Sequence, residues 1–279
     1  MKVNEAYKLC QQVMEVHSKS FSKAFQFLPL KKRQAVWAIY AFCRTIDDIV
    51  DEGANPVKEL NDFKRDFELF RNGVVDENSF LWVALQDTFT KFDFEIQPFL
   101  DMVKGQEMDL YKSRYSTIAE MEQYAYYVAS TVGLMLLPIL SPENKEKLRS
   151  SAISLGLGMQ ITNIIRDIGE DLQRDRIYIP KELREKYGYT DEMLSNKEVN
   201  AAFVGMCEEL TELAEEYYNK GLVNMELYPQ SSRLPVRLAG YYYRGILTSI
   251  RENKYDVFGK RAFVTSKQKE QILSMVGKG

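Results

Sequence analysis

The stretch AVWAIYAFCRTIDDIVDE, residues 35–52, decides how the chain is to be read. Val36, Ile39, Tyr40, Cys43, Ile46, Asp47 and Val50 recur at helical spacing, which predicts one face of a long helix. On a helix, residues four apart share a face, so the carboxylates of Asp47 and Asp51 project together. The helix carries none of the lysines that normally lace an exposed acidic face. Like charges beside apolar surface are costly unless a cation or a metal lies near.

A second pair with the same spacing, Asp167 and Asp171, stands 120 residues further on, after the apolar segment 153–165. Two such pairs facing each other would make a cage of hard oxygen ligands, with Asn163 adding a neutral oxygen one turn before Asp167. That donor set suits Mg²⁺, which keeps several waters and bridges to substrate phosphates. Cations stand close by: Arg44 three residues before Asp47, and Arg166 directly before Asp167. His17-Ser18-Lys19-Ser20-Phe21 groups imidazole, hydroxyl and ammonium donors that fit a diphosphate. Aromatic residues accompany these motifs, among them Phe25, Trp37, Tyr124, Tyr127 and Tyr241. Such a set can line an apolar tunnel, and its π faces can stabilise a carbocation.

Composition narrows the field. The 279 residues hold 37 Lys and Arg against 40 Asp and Glu, a net charge of −3. That balance excludes broad electrostatic capture of nucleic acid. One histidine cannot build a three-His zinc site or the paired ligands of a di-iron bundle. Cys10, Cys43 and Cys207 are odd in number and far apart, which argues against a disulfide framework and for a reducing compartment. The start, MKVNEAYKLCQQVMEV, has no apolar signal segment. The longest apolar stretch, residues 128–140, falls short of the roughly 20 residues that span a bilayer. The expected location is cytoplasmic, at most peripheral to the inner face of a membrane.

The pattern is helical nearly throughout. Phe203, Cys207, Leu210, Ala214, Tyr217 and Gly221 mark another helix face. Pro29, Pro56, Pro142 and Pro180 fall where helices should begin. No strand-like alternation is bounded by hairpin turns. Ten to twelve helices are expected, and with no linker or composition shift the simplest organisation is one all-α domain over residues 1–279.

Longer motifs carry a resemblance to a known family. Tyr124-Ala-Tyr-Tyr-Val-Ala-Ser-Thr-Val-Gly133 is one. Another is Leu155-Gly156, Gln160, Asn163, Arg166-Asp167 and Asp171, continuing to Arg176, Tyr178 and Pro180. With His17 to Phe21, with Arg44, Asp47 and Asp51, and with Gly105, Asp109 and Leu110, they resemble the squalene and phytoene synthases. These are the trans-isoprenyl diphosphate synthases of the head-to-head type. The likeness runs from about residue 7 to about residue 265 and is strongest to the bacterial dehydrosqualene (4,4′-diapophytoene) type. Ser130 departs from it, since the family often has Gly or Ala there. With residues 276–279 reading Val-Gly-Lys-Gly, the C-terminal membrane anchor usual in the eukaryotic squalene synthases is not expected.

The resemblance implies a single-domain isoprenoid synthase fold, a helical bundle around a central apolar cavity. It implies that Asp47, Asp51, Asn163, Asp167 and Asp171 hold Mg²⁺ on prenyl diphosphates. His17, Ser18, Lys19, Ser20, Phe21, Tyr40, Arg44, Gln160, Arg166 and Arg261 fall at substrate-binding positions, and Tyr126 and Tyr243 near the reacting carbons. The implied reaction joins two farnesyl diphosphates through presqualene diphosphate to dehydrosqualene, in carotenoid biosynthesis. Bulky Phe25 and Trp37, if they close the tunnel, favour that fifteen-carbon substrate. Rival readings are a phytoene synthase using geranylgeranyl diphosphate, a squalene synthase using NADPH, and a terpene cyclase or diphosphate phosphatase. A prenyl-diphosphate-binding module without turnover is the non-enzymatic rival. No obligate protein partner is indicated, and an apolar product makes transient membrane contact plausible.

Overall fold

The computed structural model describes residues 1–277. The last two residues of the expected 1–279 domain, and of the terminus read as lacking an anchor, lie outside it. Fifteen α-helices and no strands form among the described residues; the nearest approach to a sheet is one isolated bridge between Arg114 and Ile177. The excess over the expected ten to twelve comes from short helices of five to seven residues, too brief to show a full hydrophobic period.

The chain makes two compact units, each assembled from three separated segments. Unit 1 comprises residues 1–111, 131–149 and 224–239. It holds α1 (Val3–His17), α2 (Lys19–Phe25), α3 (Leu30–Glu52), α4 (Pro56–Arg71), α5 (Phe80–Lys91), α6 (Gln97–Met108) and α8 (Thr131–Leu140), with the starts of α9 (Lys145–Arg166) and α14 (Gln230–Glu252). Helix α3 is the axis of this unit and packs on α1, α4, α5, α6 and α8. Ala35 to Ile39 and Ala41 to Cys43 are all buried, so α3 is covered all round over two turns before its acidic end emerges. Phe42 meets Phe63 at 5.5 Å and Phe99 at 5.2 Å between ring centres, in edge and tilted arrangements that favour aromatic packing. Pro29 and Pro56 stand at the starts of α3 and α4, as expected, and Asn55 caps α4 by accepting from the Lys58 amide at 3.3 Å.

Unit 2 comprises residues 112–130, 150–223 and 240–277 of the described chain. It holds α7 (Ile118–Ala125), a π-turn over Tyr126–Ser130, most of α9, α10 (Ile168–Gln173), α11 (Lys181–Lys186), α12 (Asp191–Ser195), α13 (Ala201–Gly221), the end of α14 and α15 (Ser266–Val276). Its core depends on close approach to α9. A methyl group on Gly156 would lie 2.6 Å from the Ser130 nitrogen, and one on Gly158 would lie 3.1 Å from the Ala214 carbonyl oxygen. Ser130 exploits this proximity and donates its hydroxyl to the Ile153 carbonyl at 2.8 Å. On α13 the expected face is buried except at Tyr217. There Tyr218 takes the interior place and shares a 2.9 Å hydrogen bond with Thr162, while the Tyr217 hydroxyl donates to Glu122 at 2.6 Å. A 3.6-residue period fits spacings of 3 and 4 about equally well, so this one position falls at Tyr218 while Gly221 beyond it stays buried.

The α7, π-turn and α8 segments run together as Ile118–Leu140, 23 residues long. By length and composition alone this is one helix able to cross a membrane, longer than the apolar stretch in the sequence suggested; most of its apolar window is buried. The three cysteines are free and buried. Burial pushes the Cys10 and Cys43 thiols up to about 12, so neither is a reactive thiolate.

Candidate active site

In unit 1 the acidic end of α3 is organised by Arg44. Its guanidinium contacts Asp47 at 2.9 Å, ion-pairs with Asp48, and lies 3.7 Å from Glu52. Gln106 on α6 adds a long donor contact of 3.5 Å to the other Asp47 oxygen. Burial, followed by the charge of Asp51, pushes the Asp47 carboxyl from 3.8 up to about 6, although Arg44 pulls the other way. One arginine thus fails to neutralise the cluster. Sequence reasoning missed Asp48 and Gln106. Gln106 stands in the Gly105–Asp109 motif, 59 residues from its partner.

The His17 to Phe21 stretch is the junction of α1 and α2. His17 ends α1 and is exposed, as is Lys19, while Ser20 is half-buried. Ser18 caps α2 by accepting from the Phe21 amide at 3.3 Å, so its hydroxyl also has a structural role. Phe21 stacks on Phe25 at 5.8 Å and meets Tyr40 edge-on at 6.4 Å. These contacts bring Phe21, Phe25 and Tyr40 into one aromatic group. Trp37 is placed differently: it lines an open groove, with the Arg33 guanidinium 5.5 Å from its ring centre.

In unit 2 the chain leaves α9 at Asp167, which stands at the N-cap position of α10 without a side-chain capping bond, yet the Asp171 amide still donates to the Asp167 carbonyl at 2.8 Å. The i, i+4 relation of the second pair therefore survives the break. Arg166 grips Asp167 through two donors, with Nε at 2.8 Å from Oδ1. Burial opposes the Arg166 charge, but this bidentate partner outweighs it and the net shift is upward. Arg261 reaches back 94 residues to Asp167 at 3.2 Å and ion-pairs with Glu170, which the sequence reading did not single out. Gln160 accepts from the Asn163 amide at 3.2 Å. Asp171 lines a small recess with Arg176 and Tyr178. Tyr243 on α14 lies near enough to act electrostatically on Arg166. Tyr126 opens the π-turn, with its ring 5.5 Å from that of Tyr127. Single π-turns inside helices are frequent at functional sites.

Among the described residues no three acidic, His or Cys side chains converge as a ready-made metal cage. The arginines hold the carboxylates instead. The donor chemistry nonetheless fits a hard cation. The Asn163 Oδ1 is buried with no hydrogen-bond partner, one turn before Asp167, and burial and the neighbouring Asp51 push the Asp47 carboxyl up. A lone buried acceptor and an under-neutralised carboxylate are what a divalent ion would satisfy.

The squalene/phytoene synthase family profile matches residues 14–268. The phytoene synthase of Arthrospira platensis is 35% identical over 98% of this chain and 92% of its own length. The 15-cis-phytoene synthase of Synechocystis sp. is 37% identical over 96% of this chain and 83% of its own. A crystal structure of a dehydrosqualene synthase in complex with ligand superposes with a TM-score of 0.94 at 36% identity, covering 99% of this chain and 96% of that one. The architecture is the all-helical isoprenoid synthase fold, and the chain belongs to the squalene/phytoene synthase family, whose members are enzymes of the prenyltransferase type.

Proposed function

We propose that residues 1–279 act as a single domain that joins two prenyl diphosphates head to head, with Mg²⁺ as the metal. The observation that carries this reading is the acidic chemistry just described: an Asp47 carboxyl held near 6 beside Asp51, and a partnerless Asn163 oxygen beside Asp167. Asp47, Asp51, Asn163, Asp167 and Asp171 would hold the ions. Bound there, Mg²⁺ supplies the positive charge that makes diphosphate a competent leaving group.

The chain's own residues do the rest. Arg44, Arg166 and Lys19 stabilise the charge that develops as the first C–O bond breaks, where electrostatic catalysis is strongest. His17, Ser18, Ser20, Tyr40, Gln160 and Arg261 bind and orient the two diphosphates. The allylic cation is attacked by the double bond of the second prenyl diphosphate, and loss of a proton closes a cyclopropane ring. This intermediate loses its own diphosphate, rearranges and gives up a second proton, leaving a C–C-joined hydrocarbon. Tyr126 and Tyr243 supply π faces and a hydroxyl for the cation and the proton. Phe21, Phe25 and Tyr40 exclude water, which would trap the cation as an alcohol.

Chain length divides the reading in two. The Phe21–Phe25 stack favours the fifteen-carbon farnesyl diphosphate and a dehydrosqualene product, the activity named for the superposed structure. The relatives named phytoene synthases favour the twenty-carbon geranylgeranyl diphosphate. Incubating the purified protein with Mg²⁺ and either substrate, with and without NADPH, and identifying the hydrocarbons by mass spectrometry separates the two. Turnover that persists in EDTA would reject the metal assignment. Binding of both substrates without any product would make the chain a binding module. On this reading the reaction would run in the cytoplasm, and its apolar product would pass to a membrane.

A further inference from the structure

A groove of about 840 Å³ opens in unit 1 along α1, α2 and α3; of the residues assigned above to the metal and the prenyl diphosphates, Lys19 alone lines it, while Arg44, Asp47 and Asp51 do not. Its charge is one-sided. Lys8 comes from α1, Lys19 and Lys23 from α2, and Arg33 from α3; Glu15 is the one lining carboxylate, and it accepts from Gln11 at 2.7 Å. None of these four cations is ion-paired among the described residues, whereas Lys64, Arg71 and Lys91 elsewhere in the unit all have carboxylate partners. Lys19 and Lys23 stand one helical turn apart, where like charges repel.

Arg33 shows that the groove is built rather than incidental. Its Nη1 donates to the Gln26 carbonyl at 2.9 Å, its guanidinium lies over Trp37, and its buried Nε has no partner. The group is thus held in place with donor capacity to spare. The bias extends along the N-terminal helices. Residues 1–33 contain seven Lys or Arg and two Glu, a local charge of +5 in a chain of −3. At the rim, Leu30 is 56% exposed and Phe27, next to Gln26, is 42% exposed.

We infer that this groove binds a phosphate-bearing ligand, with Lys8, Lys23 and Arg33 on its oxygens, at a site additional to the prenyl diphosphate site. Arginine and clustered ammonium groups match the geometry and charge of a phosphate. The phosphate can belong to a free diphosphate or to the headgroup of an anionic phospholipid, into which Leu30 and Phe27 would dip.

The test compares wild type with Lys8→Ala/Lys23→Ala/Arg33→Ala and with a control, Lys147→Ala/Lys197→Ala/Lys267→Ala, that removes equal charge elsewhere. One arm titrates inorganic diphosphate in EDTA by calorimetry. The other measures sedimentation with vesicles of phosphatidylcholine alone or with about 30% phosphatidylglycerol, a surface that attracts juxtaposed basic groups. The groove variant should lose one equivalent of diphosphate binding, or bind anionic vesicles on the order of a hundredfold more weakly, at roughly fivefold per cation. The arm that shows the loss names the source of the phosphate. Turnover of prenyl diphosphate should be unchanged in both variants. The milder Lys8→Gln/Lys23→Gln variant leaves the Arg33 contacts intact and reads the same arms if the triple variant fails to fold. Wild-type binding in neither arm, equal binding by groove variant and wild type, or equal loss in the control would overturn the inference. Lost turnover in the groove variant would overturn the separation of the two sites. The binding arms need no catalysis, so they stand even if the proposed reaction is wrong.

Discussion

Gly156→Ala tests the packing that holds the π-turn. The added methyl carbon would sit 2.5 Å from the Ser130 Cα, 2.6 Å from its nitrogen and 2.9 Å from the Ala129 carbonyl carbon. All three are backbone atoms, so no side chain can rotate away. Relief to ordinary contact moves the turn by about 1 Å, which breaks the 2.8 Å Ser130–Ile153 hydrogen bond. Overpacking of this severity costs about 3 kcal/mol. The lost hydrogen bond, about 1 kcal/mol, is offset by a similar gain in helix propensity from Gly to Ala. For 279 residues the unfolding entropy is about 0.6 kcal/mol per degree, so Tm should fall by about 5 °C. Thermal unfolding followed by circular dichroism reads this directly. Gly158→Ala is the internal comparison: its nearest contact is 3.1 Å, and its drop should be smaller. An unchanged or raised Tm for Gly156→Ala would refute the close-approach reasoning.

Asp47→Ala and Asp167→Ala should each abolish turnover of prenyl diphosphate while leaving the helical circular dichroism signal intact; full activity in either would remove the metal role. In metal-free protein Asp47 should confer a pH dependence. Its folded value is raised from 3.8 to about 6, so the neutral form suits the fold, and stability should decline as pH rises through that interval. Two pK units are worth about 3 kcal/mol, but the side chain is 36% exposed and solvent screening cuts this to about 1 kcal/mol. Asp47→Asn should flatten the slope of urea stability between pH 4 and 6 in EDTA, and an unaltered slope would contradict the assignment. Thr162 donates to the Gly158 carbonyl at 2.7 Å, so Tyr218 must donate to Thr162. Thr162→Val therefore strands a buried hydroxyl and should cost about 1–3 kcal/mol, more than Tyr218→Phe; the reverse order in chemical denaturation would invert the bond direction. Phe25→Ala deletes a stacked ring and should raise turnover of geranylgeranyl relative to farnesyl diphosphate; an unchanged product ratio would exclude Phe25 from length control.

Local information carried the helices and the spacing within each acidic pair. The helix from Val36 to Val50 was legible because its apolar residues recur at helical spacing, although α3 is buried on every side over residues 35–43. What escaped the sequence is non-local or aperiodic. The π-turn adds one residue inside an uninterrupted apolar helix, and nothing in the hydrophobic pattern marks it. The pairing of Arg261 with Asp167 and Glu170, and of Gln106 with Asp47, spans 59 to 94 residues and depends on tertiary packing. Trp37 looked like a partner of Phe25 because both are bulky and near the motifs. Their ring contacts differ: Phe25 stacks on Phe21, and Trp37 lies beneath Arg33.

The three buried thiols have a practical consequence. Cys10 and Cys43 lie in unit 1 and Cys207 in unit 2, each shielded from solvent. A thiol reagent can reach them only when the surrounding helices open, and the rate of that opening reports local stability. Pulsed alkylation followed by peptide mass mapping therefore times the breathing of each unit separately, in the unmodified chain and without an engineered label.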